Sequence, residues 1–98
     1  MNIADEDEVA EAKKAEQRLL DLDKEDMKWI ISNKHGRRFI WNLLGDCGVF
    51  KSSFDGSSHT FFREGERNVA LKILARLNDA DAQAYVTMVM ESQGGVYV

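Results

Sequence analysis

The sequence predicts an all-α protein, a small bundle of about four helices with an extended acidic N-terminal helix or arm. Three observations favour this fold. The 98 residues include no proline, strong helix formers run through the whole chain, and apolar residues recur at helical spacing with little strand-like alternation. A chain of this length makes one domain at most. We expect residues 1–22 to form the acidic arm and residues 23–98 a single helical domain.

The N-terminal quarter of the chain has good helix formers but few apolar residues. Residues 4–20 are predicted to be a helix that needs a partner to hold it, because it has little to bury. The segment is therefore either an ordered arm in an oligomer or a frayed tail in solution. A short helix is expected to open at Asp23, with Asp26 in its acidic first turn. It either ends at Asn33 and Gly36 or continues through a weak point at Gly36.

The strongest helical pattern begins at Arg37. One apolar face of this predicted helix consists of Phe39, Ile40, Leu43, Leu44 and Cys47. Gly48 suits the left-handed residue that follows a helix end, where glycine is free of strain. Residues 49–58 are predicted to be a loop, with Phe50 and Phe54 pinning it to the core.

The second half of the chain predicts two more helices. The first is expected to be capped by Ser57 or Ser58 and to run to about Leu77. Its broad apolar face makes it the expected central, most buried helix, and the face consists of Phe61, Phe62, Val69, Ala70, Ile73, Leu74 and Leu77. The last helix is expected to end at Gly94. Its apolar face consists of Ala82, Tyr85, Val86, Val89 and Met90.

Charge is distributed unevenly along the chain, whose net charge is −4. Residues 1–26 carry ten acidic and four basic side chains, whereas residues 27–78 carry nine basic and four acidic ones. Residues 79–98 carry three acidic side chains and no basic one. An acidic arm, a basic body and an acidic tail indicate either charge-matched contacts within an assembly or two solvated ends on a mildly basic domain.

The sequence lacks the patterns that enzymes and metal sites require. The two histidines, His35 and His59, have no partner at metal-ligand spacing, and no phosphate-binding glycine loop is present. The single cysteine, Cys47, lies on a predicted apolar face and is expected to be a small core residue. We therefore predict no enzymatic activity, no cofactor and no metal site.

Three features of the sequence bear on where the protein is found. The longest apolar stretch, residues 39–41, is far too short to span a bilayer, which needs roughly 20 apolar residues. The chain opens with an acidic run at residues 5–8, the reverse of the positive start of a signal peptide. A single cysteine fits a reducing cytoplasm. We expect the protein to be made in a cytoplasm and to have no membrane partner.

One cluster of residues goes beyond what core packing requires. If the helix extends back past Gly36, then Lys34, Arg37 and Arg38 gather around Trp41 on the face opposite Phe39. An exposed tryptophan ringed by cations is typical of a protein-binding surface, and it also suits a stacked base with its phosphates. The alternative is that Trp41 packs under the arm while the arginines bind carbonyls or acidic groups.

A second cluster lies in the first turns of the long predicted helix. Arg63 and Arg67 alternate there with Glu64 and Glu66, so they are candidate partner-binding residues or members of a solvated, self-paired face. Gly65 in the same turn costs roughly 1 kcal/mol relative to alanine. We expect another backbone, that of the helix carrying Phe39, to pass close to it.

Two blocks of the sequence resemble a family of small phage proteins. The blocks are GRRFIWNLLGDCGV, residues 36–49, and FFREGERNV, residues 61–69. They are similar to proteins of short-tailed phages (podoviruses) whose genes lie among those for portal and head assembly, and the resemblance covers about residues 36–92. The family has no enzymatic activity attached to it. The acidic N-terminal extension departs from its pattern.

The resemblance implies a minor virion protein. Such a protein docks at the portal or head–tail vertex, or inside the head, in several copies arranged as a ring. Its expected partners are the phage portal or neighbouring virion proteins, with contact to packaged DNA as a further expectation. The alternatives are a small helical DNA-binding regulatory protein of the phage and, ranked last, an inhibitor of a host protein whose acidic arm mimics nucleic acid.

Overall fold

The computed structural model describes residues 3–50 and 59–98 and confirms the all-α prediction. Within that part of the chain there are four helices and no strand, and the helices are α1 (Ile3–Ile30), α2 (Lys34–Asp46), α3 (His59–Ala80) and α4 (Ala84–Gln93). All four contribute to one small core, whose largest fully buried side chains are Leu44, Leu77 and Met88. The radius of gyration is 18.1 Å, whereas a compact domain of this length has about 13 Å, so the molecule is extended.

Helix α1 is one uninterrupted helix of 28 residues, about 42 Å long at 1.5 Å per residue. The helix predicted at residues 4–20 is confirmed, but the prediction of a new helix at Asp23 is wrong. Neither glycine nor proline occurs between Ala4 and Ile30, so nothing stops the helix at that point. Every described side chain before Met27 is exposed, and Met27 itself is buried in the core.

The corner between α1 and α2 is neither a helix end at Asn33 and Gly36 nor a continuous helix through Gly36, the two alternatives that the sequence left open. Asn33 begins a helix instead of ending one, because its side-chain oxygen accepts a hydrogen bond from the Gly36 amide at 3.0 Å. Gly36 lies in the first turn of α2, directly against the end of α1. A Cβ atom at Gly36 would lie 1.6 Å from the carbonyl oxygen of Ile30, so the corner requires a glycine.

The buried face of α2 is turned relative to the predicted one. Ile40 and Leu44 are buried as expected, and Cys47 is partly buried against the core. Phe39 is 65% exposed, so the prediction that it belongs to the core face is wrong. Trp41 takes the inward position instead.

The end of α2 confirms the role predicted for Gly48. This residue has φ of +76°, and its amide donates to the Gly45 carbonyl at 3.0 Å. The next amide, of Val49, donates to the Leu44 carbonyl at 3.1 Å, which completes a Schellman motif. Phe50 then contacts Trp41, and the predicted roles of Phe54, Ser57 and Ser58 lie outside the described residues.

Helix α3 is the central helix, as predicted, because it packs against the other three, but much of its predicted apolar face is exposed. Ala70, Leu77 and Ala80 are buried, but the apolar residues of its first half, Phe61, Phe62 and Val69, are 85%, 69% and 53% exposed. The stripe through Ala70 and Leu77 continues N-terminally to the polar residues Glu66 and Arg67. The first half of α3 therefore turns polar groups toward the body and apolar groups outward.

Helix α4 ends as predicted but buries a different face. Ala84 and Met88 are buried, whereas Val86 and Met90 are 50% and 67% exposed, so the predicted face is wrong in part. Gly95 has φ of +76° and reverses the chain after the helix. This turn carries the C-terminal residues back toward α2.

Candidate functional site

Arg37 forms a bidentate ion pair with Glu91 of α4. Its Nε donates to Glu91 Oε1 at 2.5 Å, and its Nη2 donates to Glu91 Oε2 at 3.2 Å. The third guanidinium nitrogen, Nη1, donates to the Ile31 carbonyl at 3.1 Å. The two charged side chains are 21% and 16% exposed. Arg37 therefore joins the α1–α2 corner to the C-terminal end of α4, and the planar fork of arginine suits this bidentate geometry.

Tyr97 completes this polar group. Its hydroxyl donates to Glu91 Oε1 at 3.3 Å. The hydrogen bond from Arg37 holds the pKa of the Glu91 carboxyl below its ordinary value, and the same bond raises the pKa of Arg37. Burial raises the pKa of Tyr97. At neutral pH the group therefore holds one positive charge, one negative charge and a neutral phenol.

We expect the stability of the protein to depend on Glu91 in a pH-dependent way. Because folding lowers the pKa of Glu91, its stabilising effect is present above the ordinary carboxyl value of 4.5 and is lost as the pH falls through the folded-state pKa. Glu91→Gln should therefore lower the thermal midpoint at neutral pH, and the difference from wild type should shrink in acid. The measurement is thermal unfolding, followed by circular dichroism, at a series of pH values from neutral to below the ordinary pKa of a carboxyl group.

The control for this experiment is Glu11→Gln. Glu11 lies on the exposed part of α1, 3.7 Å from Lys14, and an exposed pair of this kind contributes little. The Glu11 variant should match wild type at every pH. A Glu91→Gln deficit of constant size from neutral to acid pH would contradict the assignment of the effect to the ionised carboxylate.

Trp41 is the centre of an aromatic cluster. Its ring lies 5.0 Å from the ring of Phe50, 6.1 Å from Tyr85 and 6.5 Å from Tyr97, measured between centroids. These centroid distances lie within the range of about 4.5–7 Å over which aromatic pairs attract one another. The cluster joins α2, α4 and the C-terminal turn, and Trp41 is half-buried in it, whereas every described side chain of the predicted arm is exposed.

The outward side of α2 carries the remaining cations of the first predicted cluster. Lys34 and His35 are exposed, and the Nη2 atom of the half-buried Arg38 lies 3.1 Å from Nδ1 of His35. Phe39 follows on the same side. We call Lys34, His35, Arg38 and Phe39 the α2 outer surface. The structure thus divides the predicted cluster, with Arg37 and Trp41 turned inward and Lys34 and Arg38 outward.

Arg63 and Arg67 lie apart from the α2 outer surface along the chain, on the first turns of α3. Arg63 is exposed. Arg67 is half-buried, and its Nε atom has no hydrogen-bond partner among the described residues. A Cβ atom at Gly65 would meet nothing within 4 Å, so the prediction that the backbone of α2 passes close to it is wrong.

Sequence reasoning missed Glu91, Tyr97 and the exposure of Phe39. The pair of Arg37 with Glu91 joins residues 54 positions apart, which leaves no local signal. The sequence does not show which of Phe39, Ile40 and Trp41 is exposed. The three residues are consecutive, and a helix cannot bury all three on one side.

The described residues offer neither a metal-binding cluster nor a membrane-spanning helix. These residues contain no group of three or more histidine, cysteine or acidic side chains placed to hold a metal ion. None of the described helices has both the length and the apolar character needed to cross a bilayer.

Comparison with known proteins assigns the helical body of the chain to a family. No curated protein and no solved structure matches the chain. A family model described as "Bbp19-like phage protein" matches residues 27–90, about two thirds of the chain. The match begins at Met27, where α1 enters the core, and ends within α4, so it spans the helical body. The phage origin implied by the two sequence blocks is thereby confirmed, and the chain belongs to the family of Bbp19-like phage proteins.

Proposed function

We propose that this phage protein is a minor structural component of the particle of a short-tailed phage. It docks at the portal or head–tail vertex, or inside the head, through protein–protein contacts, and is present in several copies. The membership of a phage family supports this proposal. The resemblance of residues 36–49 to proteins encoded near portal and head genes supports the more specific location.

The observation that carries the proposal is the α2 outer surface. Phe39 leaves 65% of its area exposed next to Arg38, with Lys34 and His35 one turn away. Aromatic side chains and arginine are enriched in protein interfaces and dominate their binding energy. A phenylalanine beside a cation therefore fits a partner surface that has an apolar pocket rimmed by acidic groups.

Arg37 and Trp41 have a different part in this proposal from Lys34 and Arg38. Arg37 fixes the start of α2 to Glu91, and Trp41 fixes its middle to Tyr85 and Tyr97. Both act by holding α2 rigidly, so that the outer surface is already formed before a partner binds. A surface formed in advance loses less entropy on binding.

The basic character of residues 27–78 suits contact with packaged DNA as a secondary interaction. Non-specific DNA binding depends on the number of phosphates that cations neutralise, so it weakens steeply with salt. The α2 outer surface offers few cations, which favours a protein partner over DNA. DNA binding by a regulatory protein remains an outcome that the experiment below distinguishes.

The test is quantitative mass spectrometry of purified particles, calibrated against the portal protein, before and after the DNA is released. We expect a copy number close to that of the portal. Lys34→Glu together with Arg38→Glu should reduce the copy number about tenfold. Because the wild type fills its sites, a reduction of this size requires binding weakened by about a hundredfold, or roughly 2.7 kcal/mol. The matched control is Lys14→Glu with Arg18→Glu, which makes the same charge change at the same spacing on exposed residues of α1, outside the matched segment.

Each contrary result has a defined meaning. Particles that contain no copy of the protein would overturn the proposal. Salt-sensitive binding of the purified protein to duplex DNA, together with its absence from particles, would establish the regulatory alternative. Equal copy numbers in both charge variants would show that the α2 outer surface is not the docking site, even if the protein is a virion component.

A further inference from the structure

The first half of α3 carries an apolar stripe on its outward side. Phe61, Gly65 and Val69 follow one another at spacings of four, and Phe62 lies seven residues before Val69, so all four share a face. The three large side chains are between 53% and 85% exposed. Single exposed apolar residues are ordinary, but a contiguous group of this kind marks an interaction surface. We call these four residues the α3 stripe.

Gly65 is the least explained member of the α3 stripe. A glycine inside an exposed helix costs roughly 1 kcal/mol relative to alanine. Nothing in the described chain requires it, since an added Cβ would have open space around it. A glycine flanked by phenylalanines has a use when a second helix approaches closely over it. The feature therefore indicates an approaching helix that the single chain does not supply.

Two cations continue the α3 stripe toward the C-terminal end of the helix. Lys72 lies seven residues after Gly65, and Arg76 lies seven residues after Val69. Both are exposed. A helix that packs along this face must therefore carry apolar side chains to cover the α3 stripe and acidic side chains to pair with the two cations.

Helix α1 has that composition. The stripe that includes the buried Met27 continues N-terminally through Leu20 to Val9, which are 52% and 44% exposed. Glu16 and Lys13 lie on the same stripe, and Glu6 lies beside it. Residues 3–26 carry ten acidic and four basic side chains. We call this the α1 stripe, and its apolar and acidic residues complement the apolar and basic residues of α3.

Within one chain, α1 and α3 contact each other toward their C-terminal ends. Lys24 lies 3.7 Å from Asp79, and Leu20 and Arg76 line one surface depression. Beyond these contacts the side chains of both stripes are exposed. The unburied parts are therefore the N-terminal parts of the two helices.

We infer that the occupant of the α3 stripe is the α1 stripe of a second copy of this chain. In the resulting two-fold pair, each copy gives its α1 to the partner and receives the partner's α1 on its own α3. A one-way contact would leave one stripe open on every copy and would build open chains, whereas the reciprocal contact closes. This interface is separate from the α2 outer surface, so it stands or falls independently of the proposed virion role.

The test is sedimentation velocity of the purified full chain over a series of concentrations. The wild type should form dimers as concentration rises, more weakly at high salt because the contact is partly ionic. Glu6→Lys with Glu16→Lys reverses the charge of the α1 stripe, and Lys72→Glu with Arg76→Glu reverses that of the α3 side. Each variant alone should dimerise at least tenfold more weakly than wild type.

Mixing the two charge-reversed variants gives the decisive measurement. In the mixture both α1–α3 contacts again join opposite charges, so heterodimers should form with nearly wild-type affinity. A fold-back of α1 onto α3 of its own chain cannot be rescued by mixing. Circular dichroism of each variant checks that it is folded.

A second variant tests the close approach over Gly65. Gly65→Leu removes the space above the helix without changing charge, and it should abolish dimerisation while leaving the helical content intact. Wild type that stays monomeric at all concentrations would overturn the inference, and so would a mixture that fails to associate. Neither result bears on the particle copy number.

Discussion

Gly36→Ala should be the most damaging small substitution in this protein. The added Cβ would lie 1.6 Å from the Ile30 carbonyl oxygen and 2.7 Å from its carbon, and both are backbone atoms that cannot rotate away. The α1–α2 corner must therefore open, which also strains the hydrogen bond from Arg37 to the Ile31 carbonyl. We expect a loss of about 3 kcal/mol or more, a large fraction of the stability of a small domain. The measurement is urea unfolding, followed by helical circular dichroism.

Gly65→Ala is the matched control for this experiment. It makes the same chemical change in a helix, but at a position where the Cβ meets nothing within 4 Å. At concentrations where the protein is monomeric, it should raise the free energy of unfolding by about 1 kcal/mol. Equal effects of the two substitutions would show that the corner is not as tight as the structure has it.

Leu77→Ala should have the next largest effect. Leu77 is fully buried on α3, in the core cluster to which Met27 of α1 and Met88 of α4 also belong. Removing the isopropyl group beyond its Cβ loses apolar burial and leaves a cavity in the small core. Substitutions of this type cost about 2–5 kcal/mol. The same urea measurement applies, and the unfolding midpoint should fall sharply.

The control for Leu77→Ala is Leu19→Ala on α1. Leu19 is 64% exposed, so its truncation removes little buried area and leaves the helix propensity nearly unchanged. Its effect should be within about 0.5 kcal/mol of zero. An equally small effect of Leu77→Ala would contradict the assignment of Leu77 to a tightly packed core.

The sequence predicted the helices better than their buried faces. Helical content and the left-handed turn at Gly48 follow from local rules, because propensity and glycine conformation act within a few residues. The position of Asn33 was recognised as a boundary, but its side chain can equally end or begin a helix, and only the bond to Gly36 decides.

The faces were mistaken where the pattern was ambiguous. Phe39, Ile40 and Trp41 are consecutive, and tertiary packing of Trp41 against Tyr85 and Tyr97 selects which of them turns inward. In α3 the rule that apolar residues are buried failed, since Phe61 and Phe62 are the exposed residues. The rule that apolar residues are buried fails wherever an apolar surface is used to bind another molecule.

The spacing of the first predicted cluster places its residues on one helix, but it does not show which of them turn inward, and their partner-binding role stays a prediction. Lys34, Arg37, Arg38 and Trp41 were singled out from spacing alone, and the structure places all four around the first turns of α2. What spacing could not show is the acceptor for Arg37. Glu91 belongs to another helix, and side-chain pairs of this kind depend on how the helices are assembled.

The pairing of Arg37 with Glu91 also has a kinetic consequence. It closes a loop of 54 residues, and bringing the ends of such a loop together costs roughly 3.5 kcal/mol of chain entropy before any contact offsets it. The α1–α2 corner, by contrast, joins residues that are neighbours in the chain and forms without that barrier. Folding should therefore begin at the corner, with docking of α4 as the slow step that locks α2 in place.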